Sequence, residues 1–230
     1  MKKVLLYGLM SCATVFGFTS CNDSNDQLTD TRVTHFATIE LEGEELMVLN
    51  VGESYTEPGY TAMEGTEDIS SKVVVSGAVD SNKAGFYTLT YSAVNKDNFA
   101  ASAKRTVMVK DSQNLASAYF GESQYGSRHY FDAPIVISDN GDGTYTIDDI
   151  AGGFYCYGRY PGYEPAYDFH LEAVIKLNAD NSIELVSCDG SNWYWGDPIA
   201  ITSGSYDPET GTVTLTNDFG GTPLYVTLTK

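Results

Sequence analysis

The sequence contains few cysteines, few histidines and few basic residues. Of its 230 residues, four are cysteine, three are histidine and 13 are lysine or arginine, against 31 aspartates and glutamates, so that the formal net charge is −18. A chain with this excess of negative charge is repelled by phosphate backbones and by anionic lipid headgroups. The composition therefore excludes nucleic acid as a partner.

The sequence also lacks the residue spacings of common catalytic and metal sites. It contains no Cys-x-x-Cys, no Gly-x-Ser-x-Gly, no His-Glu-x-x-His and no phosphate-binding glycine loop. The histidines His35, His129 and His170 are isolated. Neighbouring carboxylates such as Asp148 and Asp149 arise by chance in any acidic chain, so they do not by themselves indicate a glycosidase. We therefore predict a protein that is not an enzyme and that holds no cofactor and no metal.

The apolar stretch at residues 4–18 is too short and too interrupted to span a bilayer, which takes about 18 or more apolar residues. It follows Lys2 and Lys3, and a basic start before a short apolar stretch is typical of a secretory signal peptide. We expect residues 1–20 to be removed after export.

The sequence Phe18-Thr19-Ser20-Cys21 resembles the lipobox of bacterial lipoproteins, although Phe18 stands where that motif usually has leucine. The resemblance implies that Cys21 is acylated, and multiple acyl chains anchor a protein durably to a membrane. Residues 21–35 are polar and acidic, so we expect a flexible tether. This stretch is similar to the export signal of Bacteroidetes surface lipoproteins, which implies an outer-membrane location facing the cell exterior.

Short alternating runs separated by Gly, Asn and Asp predict an all-β protein without amphipathic helices. About 200 residues after the signal favour two domains, which we place at residues 36–110 and 113–230. In the first domain, Tyr87, Leu89 and Tyr91 share one face of an extended run and Thr88 lies on the other. One buried and one solvated face is typical of a β-sandwich sheet.

The first domain resembles the bacterial immunoglobulin-like domains of exported proteins. The matching positions are Gly52, Tyr55, Pro58, Gly59, Ala62, Val75, Gly85, Tyr87, Tyr91 and Val109. The resemblance implies an immunoglobulin-like β-sandwich, and such domains usually act as spacers.

The second domain contains a predicted hairpin, "APIVISDNGDGTYTIDDI", in which Asn-Gly and Asp-Gly supply the turn. The alternative is a calcium loop formed by Ser138, Asn140, Asp142, Gly143 and Asp149. Serine at its first position, aspartate at its last and the absence of flanking helices favour the hairpin.

Turn clusters about every ten residues predict an antiparallel sandwich or barrel-like domain whose final strand ties Leu228 into the sheet. The segments "GTYTIDDIAGGFYCYG", "IKLNADNSIELVS" and "SYDPETGTVTL" resemble the C-terminal β-domain of Bacteroidetes surface lipoproteins, which are often associated with polysaccharide-utilisation systems.

The stretch "GGFYCYGRYPGYEPAYDF", residues 152–169, is rich in tyrosine. Strand alternation from Phe154 would send Phe154 and Cys156 to one face and Tyr155 and Tyr157 to the other, and the prolines and glycines after Arg159 predict a surface loop. Sugars pack on tyrosine and tryptophan rings while charged groups bond their hydroxyls. The candidate ligand-binding residues are Trp193, Trp195, Tyr160, Tyr163, Tyr167, Arg159 and Asp168. The alternative is that the rings bury themselves in the sheet.

These patterns predict a surface lipoprotein that binds a polysaccharide or oligosaccharide without catalysis. The alternative is an adhesive or structural component that binds another outer-membrane protein of the same system. Cys156 and Cys188 are the cysteines left in the folded part, and an exported chain can either pair them or keep them reduced.

Overall fold

The computed structural model describes residues 33–163, 166–188 and 199–230. In those ranges the regular structure is β-strand, apart from a 3-10 turn at Ser70–Lys72 and a short π-helix at Phe154–Arg159. The prediction of an all-β fold is confirmed. No helix in the described ranges has the length and apolar character needed to cross a membrane.

The N-terminal half is an immunoglobulin-like sandwich of two small sheets. Its strands are β1 (Ala37–Leu41), β2 (Leu46–Asn50), β3 (Tyr60–Glu64), β4 (Glu67–Asp68), β5 (Val74–Ser76), β6 (Gly85–Val94) and β7 (Ala100–Lys110). One sheet has the order β1-β3-β4 and the other β2-β7-β6-β5. Every neighbouring pair is antiparallel except β2 and β7, which run parallel with Leu49 opposite Val109. Side chains from the two sheets meet where Ala37 and Ala62 pack with Ala93.

The predicted alternation of β6 is confirmed. Leu89, Tyr91 and Ala93 are buried, Tyr87 is half-buried and Thr88 is exposed. Because successive side chains of a strand point to opposite faces, one face of β6 is available to the interior of the sandwich.

The C-terminal half is a single large antiparallel sheet. Its strands are β8 (Ser117–Tyr125), β9 (Arg128–Asp139), β10 (Tyr145–Ile147), β11 (Ala173–Leu177), β12 (Ile183–Ser187), β13 (Ala200–Asp207), β14 (Thr212–Phe219) and β15 (Thr222–Thr229). Their order is β12-β11-β10-β9-β8-β15-β14-β13. The two outer strands approach each other, since Ser182 bridges to Ser205 and the Tyr206 amide donates to the Asn181 carbonyl at 2.9 Å. The sheet is therefore barrel-like and nearly closed.

The interior of this barrel is the largest apolar core of the described residues. Its fully buried members include Tyr119, Ile135, Ile137, Ile147, Ile150, Ile175, Val213 and Leu228. Leu228 lies in β15 between β8 and β14, which confirms that the last strand is part of the sheet.

The hairpin predicted around the Asn-Gly and Asp-Gly pairs is confirmed. Tyr145 pairs with Asp139, and the Asn140 amide donates to the Thr144 carbonyl at 3.1 Å. Asp149, the last residue of the alternative calcium loop, is fully buried and accepts hydrogen bonds from backbone amides beyond the hairpin. The predicted domain limits, residues 36–110 and 113–230, stay a prediction.

Candidate functional site

Residues 151–170, which we call the aromatic loop, connect β10 to β11. Its base is closed by a backbone hydrogen bond from the Ile150 amide to the Leu171 carbonyl at 2.9 Å. The two ends of the loop therefore lie next to each other. The 20 residues between them include most of the tyrosines that the sequence analysis discussed.

Two glycines and a buried carboxylate shape the start of the aromatic loop. Gly152 and Gly153 have φ values of 61° and 79°, in the left-handed region that favours glycine. A Cβ atom on Gly153 would lie 2.0 Å from the Cβ of Ala133, so the chain also passes too close to the sheet for a side chain. The Asp149 carboxylate accepts hydrogen bonds from the amides of Ala151 at 2.9 Å and Gly153 at 3.0 Å. Burial raises the pKa of Asp149, although these amides and nearby His170 favour its ionised form.

The extended conformation predicted for residues 154–159 is wrong. These residues form a π-helix, in which the Gly158 amide donates to the Gly153 carbonyl at 3.1 Å and the Tyr160 amide to the Tyr155 carbonyl at 2.8 Å. The left-handed glycines turn the chain away from a strand direction immediately before Phe154, which explains the difference. Short π-helical segments are frequent at functional sites.

Part of the tyrosine-rich stretch belongs to the barrel core. Phe154 is buried, and its ring lies 5.1 Å from that of Tyr130 and 5.8 Å from that of Tyr125, both in edge-on geometry. Tyr155 is half-buried and packs against Phe154 and Phe219 at 5.0 and 5.6 Å. These rings anchor the π-helix to the barrel.

The later rings form an exposed cluster around Phe169. Phe169 is buried, and the ring centroids of Tyr160, Tyr163 and Tyr167 lie 5.0, 5.9 and 6.3 Å from it. Tyr160 is half-buried, whereas Tyr163 and Tyr167 are 51% and 50% exposed. The cluster therefore has an apolar base and two partly exposed rings, with centroids 6.3 Å apart.

Charged groups border this cluster. The Arg159 guanidinium carbon lies 5.2 Å from the centre of the Tyr160 ring, and Arg159 itself is exposed. Asp168 is also exposed, and its Oδ1 accepts a hydrogen bond from the His170 amide at 2.9 Å and lies 2.8 Å from His170 Nδ1. Arg159 therefore places a cation against the Tyr160 ring, and Asp168 is an exposed carboxylate next to Phe169 in the chain.

The structure thus brings together five of the seven predicted ligand-binding residues. Trp193 and Trp195 lie outside the described residues, as does the predicted lipidation site Cys21. Cys156 is buried in the π-helix and Cys188 packs half-buried against the barrel core. Their pairing stays a prediction.

Sequence reasoning missed Tyr157 and His170. The Tyr157 ring lies 5.6 Å from that of His170, and its hydroxyl is 3.3 Å from His170 Nε2. The sequence offered one signal: Asp168 and His170 are separated by a single residue, and Asp168 follows Cys156, the only cysteine of residues 152–169, by 12 residues.

Family models match both halves of the chain. Residues 39–109 match the model of the Ig-like domain of bacterial surface proteins. Residues 109–230 match the model of a C-terminal domain. The fold and these matches define a bacterial surface protein with an immunoglobulin-like domain followed by a C-terminal β-domain. No curated protein matches the sequence.

A solved relative identifies the family more narrowly. The crystal structure of the lipoprotein BT2262 from Bacteroides thetaiotaomicron is 32% identical to this chain, with a TM-score of 0.60, and the match covers 85% of this chain and 100% of that one. The chain therefore belongs to the family of this Bacteroides lipoprotein. The resemblance to surface lipoproteins drawn from the sequence is confirmed.

Two further matches are to structures of ZmpB from Clostridium perfringens. One contains CBM51-2 in complex with GlcNAc and INT domains (17% identity, 79% of this chain, 29% of that chain, TM-score 0.28). The other contains the M60 catalytic domain with CBM51-1 and CBM51-2 (17% identity, 78% of this chain, 14% of that chain, TM-score 0.27). TM-scores this low do not establish a common fold.

Proposed function

We propose that this protein is a lipid-anchored surface protein that binds a polysaccharide or oligosaccharide through the aromatic loop, with the immunoglobulin-like domain as a spacer. The observation that carries the proposal is the pair of half-exposed rings, Tyr163 and Tyr167, held over buried Phe169. Membership in a family with a Bacteroides lipoprotein supports a surface location.

The rings suit a sugar because their positions are supported from below. Tyr160 lies between half-buried Tyr155, at 6.5 Å and 15° between the rings, and Phe169, at 5.0 Å. Tyrosine has few rotatable bonds, and rings packed against an apolar base lose little further entropy when a ligand binds. The C–H face of a pyranose can then pack on Tyr163 or Tyr167.

The polar groups beside the rings supply hydrogen bonds for hydroxyls. Arg159 offers donors beside Tyr160 and exposed Asp168 offers acceptors next to Phe169 in the chain, which suits a neutral polyhydroxylated ligand. Trp193 and Trp195, which lie outside the described residues, also bind the ligand in this proposal.

We propose that binding occurs without catalysis. Asp149 is engaged by backbone amides inside the fold, and Asp148 accepts a hydrogen bond from the Val136 amide at 3.0 Å through its Oδ1. These carboxylates support the barrel and the loop, whereas a glycosidase needs a carboxyl pair facing an open cleft.

The proposed location is the outer membrane, with the folded part facing the exterior and Cys21 acylated. Antibody labelling of intact cells should detect the wild-type protein. A Cys21→Ser variant should be lost from the membrane fraction. Labelling only after the cells are permeabilised would contradict the exterior orientation.

The binding test is affinity electrophoresis of the purified protein through gels that contain plant, fungal or mucin polysaccharides. We expect at least one polysaccharide to retard the wild-type protein. The double variant Tyr163→Ala/Tyr167→Ala should bind about tenfold more weakly, since a lost ring contact of about 1.4 kcal/mol corresponds to that factor.

The matched control is Tyr225→Ala, because Tyr225 is 51% exposed but lies in β15 outside the aromatic loop. It should leave the retardation unchanged. If no polysaccharide retards the folded protein, the glycan proposal is wrong. Cross-linking in outer-membrane preparations would then test the alternative, a stable complex with another surface protein.

A further inference from the structure

Three side chains with metal-binding atoms meet beside the aromatic cluster. One ligand atom from each of Cys156, Asp168 and His170 lies within 4.8 Å of the others. Tetrahedral zinc bonds of 2.0 to 2.3 Å place ligand atoms roughly 3.3 to 3.6 Å apart. Shifts of about 1 Å would therefore bring these atoms to a common ion.

The donor set indicates which metal fits. A thiolate and an imidazole are the softer ligands that suit zinc, whereas calcium and magnesium prefer oxygen ligands alone. Cys156 is buried, His170 is half-buried and Asp168 is exposed, so the group runs from the protein interior to the surface. Structural zinc sites almost always have four protein ligands, whereas sites with three protein ligands keep the fourth position for water or substrate.

Both nitrogens of His170 already have a suitable neighbour. Nδ1 lies 2.8 Å from Asp168 Oδ1, and Nε2 lies 3.3 Å from the Tyr157 hydroxyl. With Nδ1 on the metal, the Nε2–H group can donate to Tyr157. A hydrogen-bond partner on the second ring nitrogen fixes the orientation of a histidine ligand.

Two further carboxylates lie close enough to act on this group. Burial raises the pKa of Asp148, and the Val136 amide and the charge of His170 partly offset that rise. The charge of His170 also lowers the pKa of Asp149, which burial raises. A metal ion bound at His170 would likewise favour the ionised form of both carboxyls.

We propose that Cys156 Sγ, an Asp168 carboxylate oxygen and His170 Nδ1 bind a zinc ion, with water in the fourth position. The Cys156 thiol loses its proton to solvent as the ion binds. The ion links the π-helix, which precedes Tyr163 in the chain, to residues 168–170, which follow it. This site departs from the sequence-based prediction of no metal and does not depend on glycan binding.

Cobalt titration of the reduced, purified protein tests the site, because a thiolate bound to Co²⁺ gives a charge-transfer absorption band. We expect saturable growth of this band, and its loss when Zn²⁺ displaces the weaker-binding Co²⁺. Cys156→Ser should abolish the band. His170→Ala should weaken Co²⁺ binding by at least about tenfold, the loss known even for residues that only orient a ligand.

The matched control is Cys188→Ser, which removes a cysteine outside the proposed site and should keep the band. Absence of the band in folded, reduced wild-type protein overturns the proposal, as does a band that survives in Cys156→Ser. A Cys156–Cys188 disulfide in protein recovered from cells would occupy the thiolate and also overturn it. Failure of every polysaccharide to bind would leave the cobalt result unchanged, so the two proposals fail separately.

Discussion

Arg105 Nη2 lies 3.2 Å from Glu57 Oε1, and the Arg105 side chain has no exposed surface. The same guanidinium donates to the carbonyl of Glu42 at 2.7 Å, and the hydroxyls of Tyr55 and Tyr91 donate to the Glu57 carboxylate. A charge in the interior of the immunoglobulin-like half is therefore neutralised and hydrogen-bonded on several sides, which makes its burial tolerable.

Replacing Arg105 by methionine keeps much of the side-chain volume but removes the charge. Glu57 then loses its cationic partner and the Glu42 carbonyl loses a donor, so we expect a loss of about 3 kcal/mol or more in the free energy of unfolding. Urea unfolding measures this change. The neighbouring Lys104 is exposed, and Lys104→Met should change stability by no more than about 0.5 kcal/mol. Equal effects of the two variants would contradict the buried network.

The carboxyl of Glu57 also predicts a pH dependence. Burial tends to raise its pKa, but the hydroxyls of Tyr55 and Tyr91, the Gly59 amide and Arg105 bring it below the ordinary value of 4.5. The unfolded chain therefore takes up this proton first as the pH falls. The stabilisation is fully present above about pH 4.5 and is lost as the pH drops through the lower folded-state pKa.

Unfolding of the wild-type protein and of Glu57→Gln, measured from pH 7 to pH 3, isolates this contribution. We expect the stability difference between the two proteins to shrink below pH 4.5. A difference that stays constant over the whole range would show that ionisation of Glu57 does not contribute.

A comparison of Gly153 with Gly126 distinguishes the cost of a left-handed backbone conformation from the cost of crowding by a new side chain. Both have positive φ, 79° and 60°, but a Cβ on Gly126 meets nothing within 4 Å whereas one on Gly153 meets Ala133. Gly126→Ala should cost about 1 kcal/mol from the left-handed conformation alone. Gly153→Ala should cost about 3 kcal/mol because overpacking adds to it. Thermal unfolding of the two variants measures both costs. Equal costs would contradict a role for the close approach to Ala133.

The division of the rings into core and surface gives a further prediction. Phe154 is 2% exposed and Tyr163 is 51% exposed. Phe154→Ala should lower the free energy of unfolding by about 3 to 5 kcal/mol, as truncation of a buried phenylalanine does. Tyr163→Ala should lower it by about 1 kcal/mol or less. A large loss in Tyr163→Ala would instead assign that ring to the core and weaken the glycan proposal.

Sequence patterns predicted several strands, since alternation and turn residues act over short distances. The run from Gly85 to Val94 and the final run from Thr222 to Thr229 form strands where the alternation places them. Strands β3 and β8 were not predicted. Tyr60–Glu64 follows Pro58 and Gly59, and the glycine in the middle of Ser117–Tyr125 interrupts the apolar alternation, so neither has a clear strand signal.

The candidate site was predicted in part for the same reason. Tyr160, Tyr163 and Tyr167 are close in sequence, and the prolines and glycines among them correctly indicated a surface loop. The π-helix was not predicted, because strand alternation does not show that Gly152 and Gly153 adopt left-handed conformations just before it or that Gly153 passes too close to Ala133 for a side chain.

The sequence by itself determined the all-β class, the membership in a surface-lipoprotein family and the exposure of the tyrosine-rich loop. These features follow from local periodicity, turn chemistry and motifs, each of which is contained in a few neighbouring residues. Only the tertiary structure decided that the second sheet nearly closes into a barrel, that Phe154 belongs to its core and that Cys156 meets His170. Each of these contacts joins residues from different segments, and their approach depends on how the whole sheet twists and packs.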